Sequence, residues 1–431
     1  MSSAQNLPYQ DAGCTVIYGA DENIALGGNN EDFPDPFTKI WFLPPEDGKY
    51  GRAYVGYDGF IWQGGMNDQG LFFDAMSIEN PVQVPQGSKP RYPGSLPDKA
   101  MSACADVDCV LDLFHDYHAY DTWVFQFMFG DASGHSVIIE PYTNLRGGAP
   151  FQIATNLTQS RNDINECLHC DSYSTARDMF EDADQITVEL MKDILNAVHL
   201  EDGYPTQYST VYDLNKGLIY LYHFHNFENV MIFDLADELA QGYHNYSLVD
   251  LFPKNSAFLD FAKPEQRRIS KLRASFTEIE LDPFLFEPYL GDFQGPDNLD
   301  MAFSYYSIGY KNGQLVLMMM PDKAWLDLIP ISETSFFHVS SFYNFEITFL
   351  PGEDGEVNQF VYRIEDGEHL FTRVEKSEPV EEDKNKSETA WSKILLKLWR
   401  YSGTISFKFI VIILGLILLQ IILQYLRSLL V

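Results

Sequence analysis

Basic side chains are scarce in this sequence: 29 lysines and arginines stand against 62 aspartates and glutamates, a formal net charge of -33 over 431 residues. A field of that sign repels phosphate backbones and anionic headgroups, which excludes nucleic acid as a natural partner. Cysteine is scarce too, with five in all: Cys14, Cys104, Cys109, Cys167 and Cys170. This odd count comes without a secretory signal, because residues 1–13 hold neither a basic stretch nor an apolar one. The expectation is therefore reduced thiols in a cytosol rather than a disulfide framework. Cys167 and Cys170 have the spacing of half a zinc site or of a redox pair, but no second pair at metal spacing completes it. No metal and no other cofactor is expected, and no internal repeat relates one part of the chain to another.

What is present is ample apolar material: 45% of residues are hydrophobic and 15% aromatic, enough to build a core and too long a chain for only one. Up to about residue 255, short β-like runs at 15–18, 53–57, 71–75, 123–129, 136–139, 151–154 and 218–223 alternate with helical periodicity at 107–117 and 186–198. From about residue 281 the texture changes to hairpins, with runs at 304–310, 315–320, 345–350 and 359–364 around Asn312-Gly313 and Asp354-Gly355 turns. The expected class is α+β: a mixed domain over 14–255, then a small antiparallel β domain over 281–375.

Residues 377–390 are charged and contain Pro379, the composition of a solvated linker. Beyond them, 409–426 carries no charged residue and is long enough to span a bilayer as a C-terminal transmembrane helix. Lys393, Lys397, Arg400 and Lys408 precede it and Arg427 follows, a bias that places the large N-terminal body on the cytoplasmic side of a single-pass anchor. Residues 391–399 put Trp391, Leu395, Leu398 and Trp399 at helical spacing, as an interfacial lead-in would.

Four motifs in order carry the chemistry. Gly13-Cys14-Thr15 opens the first β-like run; Gly28-Asn29-Asn30-Glu31-Asp32, Gly65-Met66-Asn67-Asp68-Gln69-Gly70-Leu71 and Thr155-Asn156 follow. On these segments, with Tyr208 to Asp213 and Gly217 to Tyr222 as further matches of texture, residues 14–245 resemble the choloylglycine hydrolase and penicillin V acylase family. That family is the cysteine branch of the N-terminal-nucleophile hydrolases, whose motifs read Cys-Thr, Gly-Arg-Asn-x-Asp, Gly-Met-Asn-Glu-x-Gly-Leu and Thr-Asn. The resemblance implies an αββα sandwich, self-cleavage of a 1–13 propeptide, and hydrolysis of a linear non-peptide amide.

The same resemblance assigns roles. Cys14 becomes the nucleophile, and its freed α-amino group, with a pKa near 8, acts as its base. Asp32 orients amine and thiol, and Asn156 donates to the developing oxyanion. The sequence departs from the family at three places. Asn29 stands where an arginine is usual, Met76 and Ser77 stand where a second asparagine assists the oxyanion, and Ser209 or Thr210 replaces a late arginine. Ser77 retains a hydroxyl able to donate.

Other residues are weaker candidates. His223 and His225, two apart on a β-like run, would share a face, but no carboxylate or cysteine pattern accompanies them. Trp41, Phe60, Trp62, Phe72 and Phe73 lie near the motifs, where core packing is the first expectation and an acyl pocket the second. The β-rich region resembles the small β domain appended to serine-β-lactamase-like proteins, through Phe286 to Gly291, Asn312 to Leu315, Leu328 to Ile331 and Phe345 to Phe349. The overall expectation is a membrane-anchored amidase acting on small, lipophilic amides. An acyltransferase using the same acyl-enzyme and a non-catalytic tethered binding protein are the rivals.

Overall fold

Most strands of the N-terminal half are buried on both faces, which is why they read as near-continuous apolar runs rather than alternating ones. A computed structural model describes residues 13–374, apart from 47, 93–94, 121, 148–149, 162–170, 297–304, 312, 320–323, 342–343, 353–354 and 365–366. In chain order the first strands are β1 (Thr15–Ala20), β2 (Ala25–Asp32), β3 (Thr38–Leu43), β4 (Arg52–Tyr57), β5 (Ile61–Asn67) and β6 (Leu71–Gln83). Helices α1 (Leu96–Ala103) and α2 (Val107–Asp116) precede β7 (Thr122–Asp131), β8 (Ser136–Glu140), β9 (Thr143–Arg146) and β10 (Phe151–Ala154). After α3 (Asp171–Glu181) and α4 (Val188–Ala197) come β11 (Thr206–Asp213), β12 (Leu218–His223) and β13 (Asn226–Asp234). The half closes with α5 (Leu235–Leu239), β14 (His244–Ser247), α6 (Leu248–Leu251) and α7 (Ser256–Arg273).

These strands form two antiparallel sheets, one ordered β10-β1-β2-β11-β12-β13 and the other β14-β3-β4-β5-β6-β7-β8-β9. Their facing sides share a core that includes Val16, Tyr18, Ile40, Phe42, Val55, Phe72, Met76, Met128, Tyr208 and Tyr212. The sheets approach closely: a Cβ on Gly27 of β2 would lie 2.5 Å from the Phe72 ring of β6, so only glycine admits that ring. On the outer side of the first sheet, Ile17, Leu26 and Val211 pack against Phe180 of α3 and Met191, Ile194 and Leu195 of α4. The 3-4 spacing of those α4 residues makes its buried stripe, and Thr187 caps it by accepting from the Leu190 amide at 3.0 Å. Each such fully buried aliphatic contributes about 1.5–3 kcal/mol. Helices α1 and α2 cover the second sheet, giving a helix–sheet–sheet–helix stack of mixed α/β class.

The predicted strands and helices of this half are present, with β10 and β12 at the predicted limits and α4 shorter, since Ile186 and Thr187 serve as lead-in and cap. Helix α7 was not expected. Pro264 in its interior hides it from a pattern reading, yet Asn255 caps it and Phe258 and Ala262 bury one side. The later hairpins form one nine-stranded antiparallel sheet between Gly291–Gln294 and Gly367–Val374, cored by Phe293, Tyr306, Phe336, Phe349, Phe360 and Phe371. Arg268 of α7 donates to the carbonyls of Ser340 and Ser341, each at 3.2 Å, and both halves belong to one compact unit.

Two expectations require comment. Cys104 and Cys109 are joined in a disulfide, so reduced thiols do not hold throughout, and the bridge is out of keeping with a reducing compartment. Cys14 is a free buried thiol, while Cys167 and Cys170 lie outside the described residues. Among the described residues no helix is long and apolar enough to cross a membrane. Residues 1–12, the linker 377–390 and the apolar segment 409–426 fall outside those described.

Candidate active site

Cys14 immediately precedes β1, and the β1–β2 register pairs Thr15 with Asn30, which sets Cys14 against Glu31 at the end of the ladder. The thiol is 6% exposed and belongs to the core between the sheets. Burial pushes it well above an ordinary thiol, the charges of Glu31, Asp32 and Asp74 add to this, and a hydrogen bond from the Asp32 amide acts in the opposite sense. The immediate surroundings therefore hold the sulfur protonated.

Asp32 ends β2 beside that sulfur. Its carboxylate accepts from the Thr206 hydroxyl of β11, and its other oxygen has no protein partner. Burial raises its pKa well above normal, against the effect of Thr206. Asn156 follows β10 next to β1, and its Nδ2 donates to the carbonyl and to the hydroxyl of Ser77, both at 2.8 Å. Its Oδ1 faces Gly13 so closely that a Cβ there would come within 2.5 Å. A side chain at 13 would thus displace the Asn156 amide from the bond that precedes Cys14.

The remaining predicted residues separate. Met76 faces the inter-sheet core, whereas its neighbour Ser77 is exposed and meets Asn156. Asn29 is fully buried two residues before Glu31, paired with Val16 and Thr210, and neither polar atom of its amide has a protein partner. Trp41, Phe60, Trp62, Phe72 and Phe73 are buried and interlocked, with Trp41 edge-on to Phe60 at 5.4 Å and Trp62 edge-on to Phe73 at 5.2 Å. They are core residues. His223 and His225 do not share a strand face, because β12 ends at His223 and the chain turns through Phe224 and His225 with φ of 49° and 44°. His223 instead stacks on Phe252 at 5.6 Å.

The structure adds residues that motif reading passed over. Tyr57, on the facing sheet, donates to Glu31 at 2.5 Å. Burial lifts Glu31 to a pKa of about 7, with the Tyr57 and Cys14 hydrogen bonds pulling the other way. Asp74 of β6 is fully buried with neither carboxylate oxygen partnered, and burial with the Glu31 charge raises it well above normal. Tyr208 pairs with Glu31 across β11. Strand parity held the signal for Glu31: with Thr15 and Asn30 turned to the helices, Cys14 and Glu31 must turn together to the other sheet.

No family model and no curated protein matches the chain. Among solved structures, it is similar to a mutant conjugated bile acid hydrolase from Clostridium perfringens, with 16% identity over 56% of this chain and 97% of that one and a TM-score of 0.44. A second variant of that hydrolase gives 15% identity, 56% and 97% coverage and a TM-score of 0.45. Penicillin V acylase from Agrobacterium tumefaciens gives 15% identity, 55% and 90% coverage and a TM-score of 0.41.

Proposed function

We propose that this chain is an amide hydrolase of the cysteine N-terminal-nucleophile kind, working from an αββα sandwich over 14–255. The reading is carried by one arrangement: a buried thiol at the head of β1, flanked by Glu31 and the Asp32 amide, with the Asn156 amide lying against Gly13. The Gly13 carbonyl is the acyl group that Cys14 would release, and a substrate acyl group would take its place beside Asn156.

In leader removal, Sγ of Cys14 attacks the Gly13 carbonyl carbon and the thiol proton passes to Glu31. The C–N bond breaks as the Cys14 nitrogen accepts that proton, and water resolves the thioester. The freed amine, with a pKa near 8, then serves as base for the substrate reaction. It stands among Glu31, Asp32 and Asp74, and its positive charge when protonated would offset the effect by which those carboxylates disfavour the thiolate. Sγ next attacks a small linear amide, the amine product leaves with a proton, and water hydrolyses the acyl-enzyme. Asn156 would donate to the oxyanion from its Nδ2 once that group exchanges Ser77 for the substrate oxygen. We place the protein at a membrane through 409–426, which favours lipophilic acyl amides.

The surplus of carboxylates around the thiol favours a second reading, a tethered binding protein without turnover. Intact mass and N-terminal sequencing decide between them. The wild-type chain is expected to begin at Cys14 and Cys14→Ala to keep its leader. A wild-type protein that retains residues 1–13 and hydrolyses no member of an acyl-amide library would sink the hydrolase.

A further inference from the structure

We propose that His199, Glu201 and His225 form a Zn²⁺ site, built from two imidazoles and one carboxylate with a fourth position left to water. One ligand atom from each residue lies within 4.8 Å of the others. In a tetrahedral zinc site with bonds of about 2.0–2.2 Å the ligand atoms sit roughly 3.4 Å apart, so a contraction of at most about 1.4 Å closes the triad. Glu201, whose side chain is 71% exposed, is free to make that movement.

One of the two imidazoles is already oriented by a hydrogen bond. His199 follows α4, and its Nδ1 lies 2.5 Å from the Asn196 carbonyl, so that nitrogen donates to the carbonyl and Nε2 is the ring atom left for a cation. Ligating histidines are commonly oriented by such a second hydrogen bond. Nε2 faces Glu201 Oε1 at 3.3 Å, and the rings of His199 and His225 lie nearly parallel with centroids 5.6 Å apart.

The hairpin supplies an independent observation. His223 pairs with Asn226, leaving Phe224 and His225 as a two-residue turn with positive φ at both positions. Asn-Gly is the usual solution for such a turn, and a bulky residue in this region is strained. Phe224 offsets its strain by packing with Phe258 and Phe261. His225, in the same turn, lies with its ring beside that of His199.

The site also reaches Asp32. Leu200, between two of the ligands, donates its amide to the Thr206 hydroxyl and accepts from the Thr206 amide, both at 2.9 Å, and that hydroxyl donates to Asp32. A bound cation would brace this loop without touching the thiol.

Titration of chelator-treated full-length protein with Zn²⁺ tests the proposal, using calorimetry and, with Co²⁺ as a second probe, visible absorption. One equivalent is expected at micromolar affinity or tighter, weakened at least tenfold in His225→Asn, which tolerates the turn's left-handed backbone. His199→Gln serves as the second variant and is expected to do the same. Millimolar binding in the wild type, or unchanged affinity in a folded variant of either histidine, overturns the assignment.

Discussion

Glu31 stands opposite Cys14 because β1 and β2 pair with Thr15 against Asn30, and because Tyr57 of the facing sheet gives its carboxylate a hydrogen bond where no water-filled environment competes. A carboxyl with a pKa of about 7 beside a thiol is suited to accept a proton near neutrality. Leader removal should therefore accelerate as pH rises through about 7, and Glu31→Gln should slow it by roughly 10²–10⁴-fold and remove that step from the profile. Time courses of intact mass across the neutral range measure both effects. An unchanged profile in Glu31→Gln would assign the proton to another group. Asp32 and Cys14 could be singled out by motif, whereas Glu31 and Asp74 could not, since their relevance arises from sheets meeting face to face. Ser77 is the converse case: its motif position was recognised, but its exposure and its bond to Asn156 depended on how β6 and β10 approach.

Helix α1 is held to its sheet by a buried contact that no pattern announces. Arg52 of β4 meets Asp98 at 3.2 Å, and Tyr54 donates to the same oxygen at 2.6 Å. Asp98 also lies in the first turn of α1, where Ser95 accepts from its amide. Removing one partner leaves a buried charge, so Asp98→Ala should cost about 3–5 kcal/mol in urea unfolding. Arg52→Met with Asp98→Leu should recover most of that loss, and failure to recover would show that α1 depends on the charge itself. Helix α7 shows the reverse limit of pattern reading. Pro264 removes one intrahelical bond, but the Asn255 cap and the burial of Phe258 and Ala262 sustain the helix around it.

For the whole molecule, acidity becomes a matter of stability when carboxyls are buried. Glu31 and Asp35 both have pKa values raised to about 7 by burial, from ordinary values of 4.5 and 3.8. The folded chain then holds protons that the unfolded chain has released, so stability falls as pH rises through the window from about 4 to 7 and is level above it. Each group contributes on the order of 3–4 kcal/mol to this loss. Uncleaved Cys14→Ala protein, which lacks the new amine, should melt at a lower temperature at pH 8 than at pH 5. Adding Glu31→Gln should reduce the difference, and a melting temperature that rises with pH would contradict the burial of these groups. The remaining acidic surface, within a formal charge of -33, gives a self-repulsion that salt screens.

Period, turn chemistry and composition are local properties, and they sufficed for the α+β class, most strand positions and the order of the four motifs. They also isolated Cys14 as a thiol preceded by glycine. Proximity is a different quantity. That Cys104 meets Cys109, that His225 turns to His199 instead of lying with His223, and that three carboxylates surround one sulfur follow from a helix–helix turn, a hairpin turn and the packing of one sheet on another. Cys104 and Cys109 are only five residues apart and meet through the turn between α1 and α2, whereas the other contacts join separate elements, and a side chain's burial, and with it the cost of its charge, exists only once those elements have closed over it.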